Sequence, residues 1–207
     1  YKIYYTLDGS SPWDSTTFVY SGSPVAIQAA SPATSGLAWI RNNPVEIVQS
    51  VPDANWQAPI GSIPKAVVLR AIAVSADNRF CSPETRGTYF IGPQFASRPL
   101  PIFSLITDMT NLFGFTSGIY VPGKCYADSA EGYGSNRWGK PYANYHQDDG
   151  QVWERPVQLE LFETSQTTAA FSQLLGLTMH GGGTRAIPQK ALYLLARLGE
   201  YGADQVS

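Results

Sequence analysis

The sequence predicts a mainly β protein, a β-sandwich over residues 1–92 followed by a second β-rich unit over 100–207. Composition is the first reason. Nineteen glycines and fifteen prolines accompany twelve tyrosines, nine phenylalanines and five tryptophans, which suits many short strands joined by turns. Hydrophobic residues make up 43% and charged residues 14%, so a packed core is expected rather than disorder. The second reason is patterning: stretches rich in β-branched and aromatic residues recur, and most are closed by a turn signal.

In order, "YKIYYTL" sets Ile3 and Tyr5 against Tyr4 and Thr6 and runs into "DGSSP", a turn. Asp8, followed by Gly9, fits a turn in which the carboxylate bonds its own backbone, a structural role. "AVVLRAIAVS" and "TRGTYFIG" are strands around the turn "ADN". Between these strands, residues 31–65 hold five prolines and read as an insertion with short edge strands, anchored by Trp39 and Trp56. "PQFASRPLP" has three prolines in nine positions, and residues 93–99 read as an extended linker.

In the second unit "LPIFSLIT" is expected as a buried strand, with Asp108 capping a helix at "MTNLF". "GIYV" reads as a strand and 122–150 as a polar, glycine-rich loop. "WERPVQLELFE" puts Val157, Leu159 and Leu161 on one face against Gln158, Glu160 and Phe162, with "LLGLTMHGG" as its partner. "KALYLLARLGEYG" has helical propensity but strand-like alternation.

Several function classes are set aside. A net charge of −2 gives no field for a polyanion, and "SNRWGKPYANY" is too short to make a nucleic-acid surface. No run of 18 apolar residues spans a membrane. Cys81 and Cys125 have no metal-site spacing, and two free, part-buried thiols are expected. The chain begins inside a strand without methionine and stops after "EYGADQVS", so both ends read as domain cuts, with any targeting signal outside them.

Two stretches resemble known families. "KIYYTLDGSSP" and "VVLRAIAVSADNRFCSPETRGTYFIG" resemble the Ig-like module at the C-terminus of chitobiases and β-hexosaminidases, which recurs in bacterial surface and secreted proteins. "LPIFSLITDMTNLFGFTSGIYVPGK", "NYHQDDGQVWERPVQLELFE" and "FSQLLGLTMHGGGTRAIPQKALYLLAR" resemble, in that order, the start of the spore-coat CotH-type protein-kinase family. That resemblance implies ATP-dependent phosphorylation of Ser or Thr on a coat or surface protein. It also implies a β-rich N-terminal lobe, a following lobe with the Mg²⁺ ligands and catalytic aspartate, and a bacterial surface, spore-coat or secreted location. It therefore implies no catalytic residue in this chain, no cofactor for the fragment alone, and ATP and Mg²⁺ only for the parent. It favours a strand for "KALYLLAR". The family pattern has Ser after the lysine and a basic residue two further on, where this chain has Ala191 and Tyr193.

"HGGGTRAIPQK" is the candidate site. Gly181, Gly182 and Gly183 would let backbone amides approach a phosphate, while Arg185 and Lys190 would offset its charge. The plainer alternative is a glycine-rich turn with a solvated Arg and Lys. The letters also match an esterase oxyanion loop, but no G-x-S-x-G nucleophile elbow accompanies them. "GIYVPGKC" nearly fits a phosphate-loop spacing, yet Cys125 stands where a hydroxyl would hold Mg²⁺. His146, Asp148 and Asp149 read as a charged turn rather than a metal site, and no metal is expected. Trp13, Trp39, Trp56 and Tyr20 raise stacking on sugar rings, which gives the second functional reading: a non-catalytic module that binds a protein or a carbohydrate. A lobe lacking its partner would also expose an apolar face and dimerise through it.

Overall fold

The computed structural model describes residues 1–13, 17–40, 57–128, 143–146 and 150–202. The chain is mainly β. It divides into two compact units, Tyr1–Thr34, Gly61–Ile106 and Gln158–Gln173 in one, Ser35–Ile60, Thr107–Val157 and Leu174–Ser207 in the other. These ranges interleave and do not coincide with 1–92, 93–99 and 100–207.

The first unit holds a four-stranded antiparallel sheet. Its strands are β1 (Lys2–Thr6), β2 (Phe18–Val19), β5 (Val67–Val74) and β6 (Thr85–Tyr89), in the order β2-β1-β5-β6. A separate ribbon pairs β3 (Ala30–Ala33) with β4 (Ile63–Lys65); short edge strands are expected in the insertion, and these lie at its two ends. β5 buries Arg70, Ile72 and Val74 at period two, as a strand with one covered face must. The turn after it is built by side chains. Asp77 Oδ1 accepts from Ser75 Oγ (2.6 Å) and Arg79 N (3.2 Å), while Asn78 takes the left-handed φ of 58°. The Asp8 turn is made the same way: Oδ1 accepts from Ser10 N at 3.0 Å and Ser10 Oγ at 2.5 Å, and these bonds hold its pKa below the usual carboxylate value.

A second antiparallel sheet runs β10-β9-β8-β7, made of β7 (Ile102–Ile106), β8 (Arg155–Phe162), β9 (Phe171–Met179) and β10 (Leu192–Leu195). β8 and β9 each contribute residues to both units. Val157 and Leu159 are buried as expected and Leu161 only half so, while Glu160 and Phe162 on the opposite face are buried as well. Glu160 is accommodated because its carboxylate accepts from Thr88 N (2.8 Å) and Ser172 Oγ (3.3 Å). Phe162 meets Phe90 edge-on at 4.8 Å. "KALYLLAR" is a strand, and a short helix α3 (Leu198–Tyr201) follows it.

Four expectations need correction. β7 is not buried, because Phe103 and Leu105 are exposed on one of its faces. Helix α1 (Met109–Phe113) stands where expected, but Asp108 caps it with its backbone carbonyl, accepting from Asn111 N at 2.9 Å, and not with its carboxylate. "GIYV" is a turn, not a strand: Ile119 N and Tyr120 N donate to the carbonyls of Asn111 and Leu112, so the segment folds back on α1 instead of joining a sheet. The loop reading of 122–150 fails at its start, where Gly123–Ala127 forms helix α2. The second unit packs around Ile119, Val121, Tyr145, Val157, Leu175 and Leu177, all buried.

Candidate functional site

The β9–β10 connection carries "HGGGTRAIPQK". His180 N donates to Ala191 O at 2.9 Å and closes the hairpin. Gly181 has φ +105°, and a Cβ there would sit 2.2 Å from Thr184 Oγ1, so the position excludes side chains on two grounds. From Gly182 the backbone enters a 3-10 turn, Gly183–Ala186, in which Arg185 N donates to Gly182 O (3.1 Å) and Ile187 N to Thr184 O (3.2 Å). Arg185 is half-buried. The segment is a turn, and two of its amides are occupied within it.

Lys190 is placed as neither sequence reading foresaw. Its side chain is not solvated: the residue is 7% exposed, and Nζ donates to Ile187 O at 2.8 Å. The ammonium lies 4.3 Å from the ring centre of Tyr145, which is fully buried, and 5.7 Å from that of Tyr120. Burial pushes its pKa down to about 7. The backbone around it is fixed by the same tyrosine, since Lys190 N donates to Tyr120 Oη at 2.9 Å.

The aromatic seat has its own foundation. Asn144 Nδ2 donates to Phe115 O (3.0 Å), its Oδ1 accepts from Cys125 N (3.1 Å), and its own N donates to Pro122 O (2.7 Å). Gly123, at φ +59°, lies where a Cβ would meet Asn144 Nδ2 at 2.0 Å. "GIYVPGKC" thus supplies Tyr120 and the bed for Asn144 and Tyr145. Lys124, the lysine of the near-phosphate-loop, pairs with Asp128 four residues on, and Cys125 lies in α2 with a thiol pKa raised chiefly by burial.

A second cluster escaped the sequence reading. Glu154, the acid of "WERP", is buried, and Arg197 Nε reaches both of its oxygens at 3.1 and 3.0 Å, with Nη2 at 2.9 Å from Oε2. Burial, then a hydrogen bond with Glu154, raises the Tyr201 pKa. A Cβ on Gly176 would meet Glu154 Oε1 at 1.9 Å, so the carboxylate occupies the space that this glycine leaves. The signal was present: an acid before a strand and an arginine after the last strand, with a glycine between two leucines. It needed the sheet register to be recognised.

In the first unit, Arg70 of β5 is buried and forks onto Glu84, Nε to Oε1 at 2.5 Å and Nη2 to Oε2 at 3.0 Å, while Nη1 donates to Gly9 O at 3.1 Å. Arg86 binds the same carboxylate at 2.8 Å. Burial works to raise the Glu84 pKa, and the two arginines outweigh it and lower it. Trp13 and Trp39 are each 61% exposed, so Trp39 does not anchor the insertion by burial, and Tyr20 is also exposed. Cys81 and Cys125 are free thiols, with Cys81 exposed rather than part-buried. Trp56, Asp148 and Asp149 lie outside the described residues, as does the side chain of His146. Among the described residues no group of three His, Cys, Asp or Glu could hold a metal, and no helix is long and apolar enough to cross a membrane.

Residues 1–83 match a family model described as "Fn3 associated". The amino-terminal part is thus similar to fibronectin-III-associated modules, and the match covers β1 to β5 and the turn beyond. No curated protein and no solved structure matches the chain.

Proposed function

We propose that this chain is a non-catalytic β module, a fibronectin-III-type unit joined to the amino-terminal part of a CotH-type kinase-like domain that offers Mg-ATP a weak phosphate contact, with phosphoryl transfer completed only in the larger protein. One observation carries the reading: the three blocks that resemble that family fall in order on the strands of a single antiparallel sheet. "LPIFSLIT" contains β7, "WERPVQLELFE" contains β8, and "FSQLLGLTMHGGGTRAIPQKALYLLAR" contains β9, the glycine turn and β10. A lobe of this kind contributes positioning and positive charge to phosphoryl transfer, while metal ligands and base come from elsewhere. Lys190 suits that part in one respect. An amine titrating near neutrality becomes a full cation once a phosphate is beside it, so its charge is strengthened on binding.

The second reading is a module that binds a protein or carbohydrate on a bacterial surface. It is favoured by exposed aromatics on the first unit, Trp13, Phe18 and Tyr20, with Phe18 on the short edge strand β2.

Calorimetric titration of Mg-ATP at pH 7, repeated in two buffers of different ionisation enthalpy, separates the two. The kinase-like reading expects weak saturable binding with net proton uptake, both lost in Lys190→Met. Absence of binding in the wild type overturns nucleotide contact by this chain and leaves the surface-binding reading.

A further inference from the structure

We propose that the amino-terminal module is completed by residues 158–173 of its own chain, docked on the outer edge of β6, and that Glu160 is the side chain that seats them. The matched segment 1–83 is then not a folding unit by itself.

The dependence runs in steps. The match ends before β6, yet β6 pairs with β5 at five consecutive positions, from Val67↔Tyr89 to Ala71↔Thr85. β6 in turn ends its sheet, and its Thr88 N–H donates not to another strand but to Glu160 Oε2 of β8, at 2.8 Å. Both residues are buried, so donor and acceptor stand in for each other's water. Among the described residues no cation offsets Glu160, and its carboxylate accepts only from Thr88 N and from Ser172 Oγ at 3.3 Å. Lifting β8 away leaves a bare buried N–H on β6. Lifting β6 away strips a buried carboxylate of its shorter bond, so each side loses by the other's departure.

Further contacts follow the same seam. Thr88 Oγ1 and Ser104 Oγ of β7 are 2.6 Å apart. Phe90, just beyond β6, stands edge-on to Phe162 at 4.8 Å and packs on Phe95 at 5.1 Å. Arg98 stacks over the Phe90 ring and donates to the carbonyls of Glu163 and Gln166. All of these residues belong to the first compact unit. Burial marks the docked face: Phe162 is 1% exposed, whereas Phe103 and Leu105 on the other face of β7 remain exposed.

Residue-resolved hydrogen exchange on the full chain tests the coupling. Glu160→Ala removes the acceptor and leaves β1, β5 and β6 untouched in sequence. Exchange of the β1 and β5 strand amides is expected to accelerate by roughly tenfold to a hundredfold, because an unsatisfied buried N–H lowers the opening free energy of the whole unit. Glu160→Gln, whose carbonyl still accepts from Thr88 N, should recover most of the protection, and its failure to do so overturns the role given to Glu160. In reverse, Ile72→Ala in β5 should accelerate the amides of residues 158–162, since coupling within one unit is reciprocal. Should the alanine variant at 160 not fold, Phe162→Leu is read in the same way. Acceleration confined to β7 and β8 overturns the proposal. So does acceleration that reaches the hydrogen-bonded amides of Ile119 and Tyr120 as strongly as β1, because the chain then opens as one body.

Discussion

Lys190 shows at the scale of one residue how much a buried charge depends on distant parts of the chain. Three glycines followed by a basic pair mark the stretch in the sequence, and that much was legible. The burial was not, because Tyr120, whose hydroxyl holds the Lys190 amide, lies 70 residues earlier. The consequence is measurable. The folded-state pKa is depressed to about 7 from 10.5, so between those values the unfolded chain binds a proton that the folded chain does not. Stability contributed by this group therefore rises with pH from about 7 to 10, and below 7 the full cost of the buried ammonium applies. The effect over that window is on the order of 4 kcal/mol. Urea unfolding at pH 6, 7, 8 and 9.5 should show the rise in the wild type, and its absence in Lys190→Met. Parallel curves for the two proteins would refute it.

At the scale of elements, strands that are closed by side-chain-built turns could be read directly, and those whose fate depends on a neighbour could not. β1, β5 and β6 carry Asp8, Asp77 and Asn78 at their turns, and the alternation of β5 is plain in its letters. "GIYV" has the same β-branched character, but its amides find the carbonyls of α1 close by and are satisfied there. β5 also hides a charge. Arg70 looks like an interruption of an apolar run, yet it is held by Glu84, a residue on the approach to β6, and shared with Arg86. Removing the carboxylate leaves a buried guanidinium facing a second arginine, and Glu84→Gln should cost about 3 kcal/mol. Because the Glu84 pKa lies below its unfolded value, its contribution is present above the unfolded pKa and lost as pH falls through the folded one. Acid titration of the wild type should show an unfolding contribution in that range that Glu84→Gln lacks.

For the whole molecule, a mainly β class followed from composition and turn chemistry, which are local properties. The partition into compact units did not, because membership is a matter of which strands lie near one another. Gln158–Gln173 belongs with Tyr1–Thr34, and Leu174 onward belongs elsewhere, although nothing in the letters of β9 changes between Gln173 and Leu174. The same holds for Glu154 and Arg197, whose pairing across Gly176 is invisible until the sheet is assembled. Motif spacing located the glycine turn, and only three-dimensional packing revealed what its lysine touches.

The corner between β8 and β9 has a further consequence. Arg98 donates through Nη2 to the carbonyls of Glu163 (2.9 Å) and Gln166, while its guanidinium stacks 5.1 Å from the Phe90 ring. At Glu163 and Gln166 the guanidinium grips main chain alone and their side chains face water, while Ser165, at φ 61°, donates from Oγ to Arg98 O at 3.4 Å. The clasp is therefore indifferent to the side chains of Glu163 and Thr164, though not to that of Ser165. Replacing Glu163 or Thr164 should shift stability by less than about 0.5 kcal/mol, whereas Arg98→Lys, which loses the planar fork, should cost about 1–2 kcal/mol. Thermal denaturation of the three variants would show the asymmetry. Such a latch makes Glu163 and Thr164 natural places to write in foreign letters, provided Ser165 is kept, without disturbing the strands on either side.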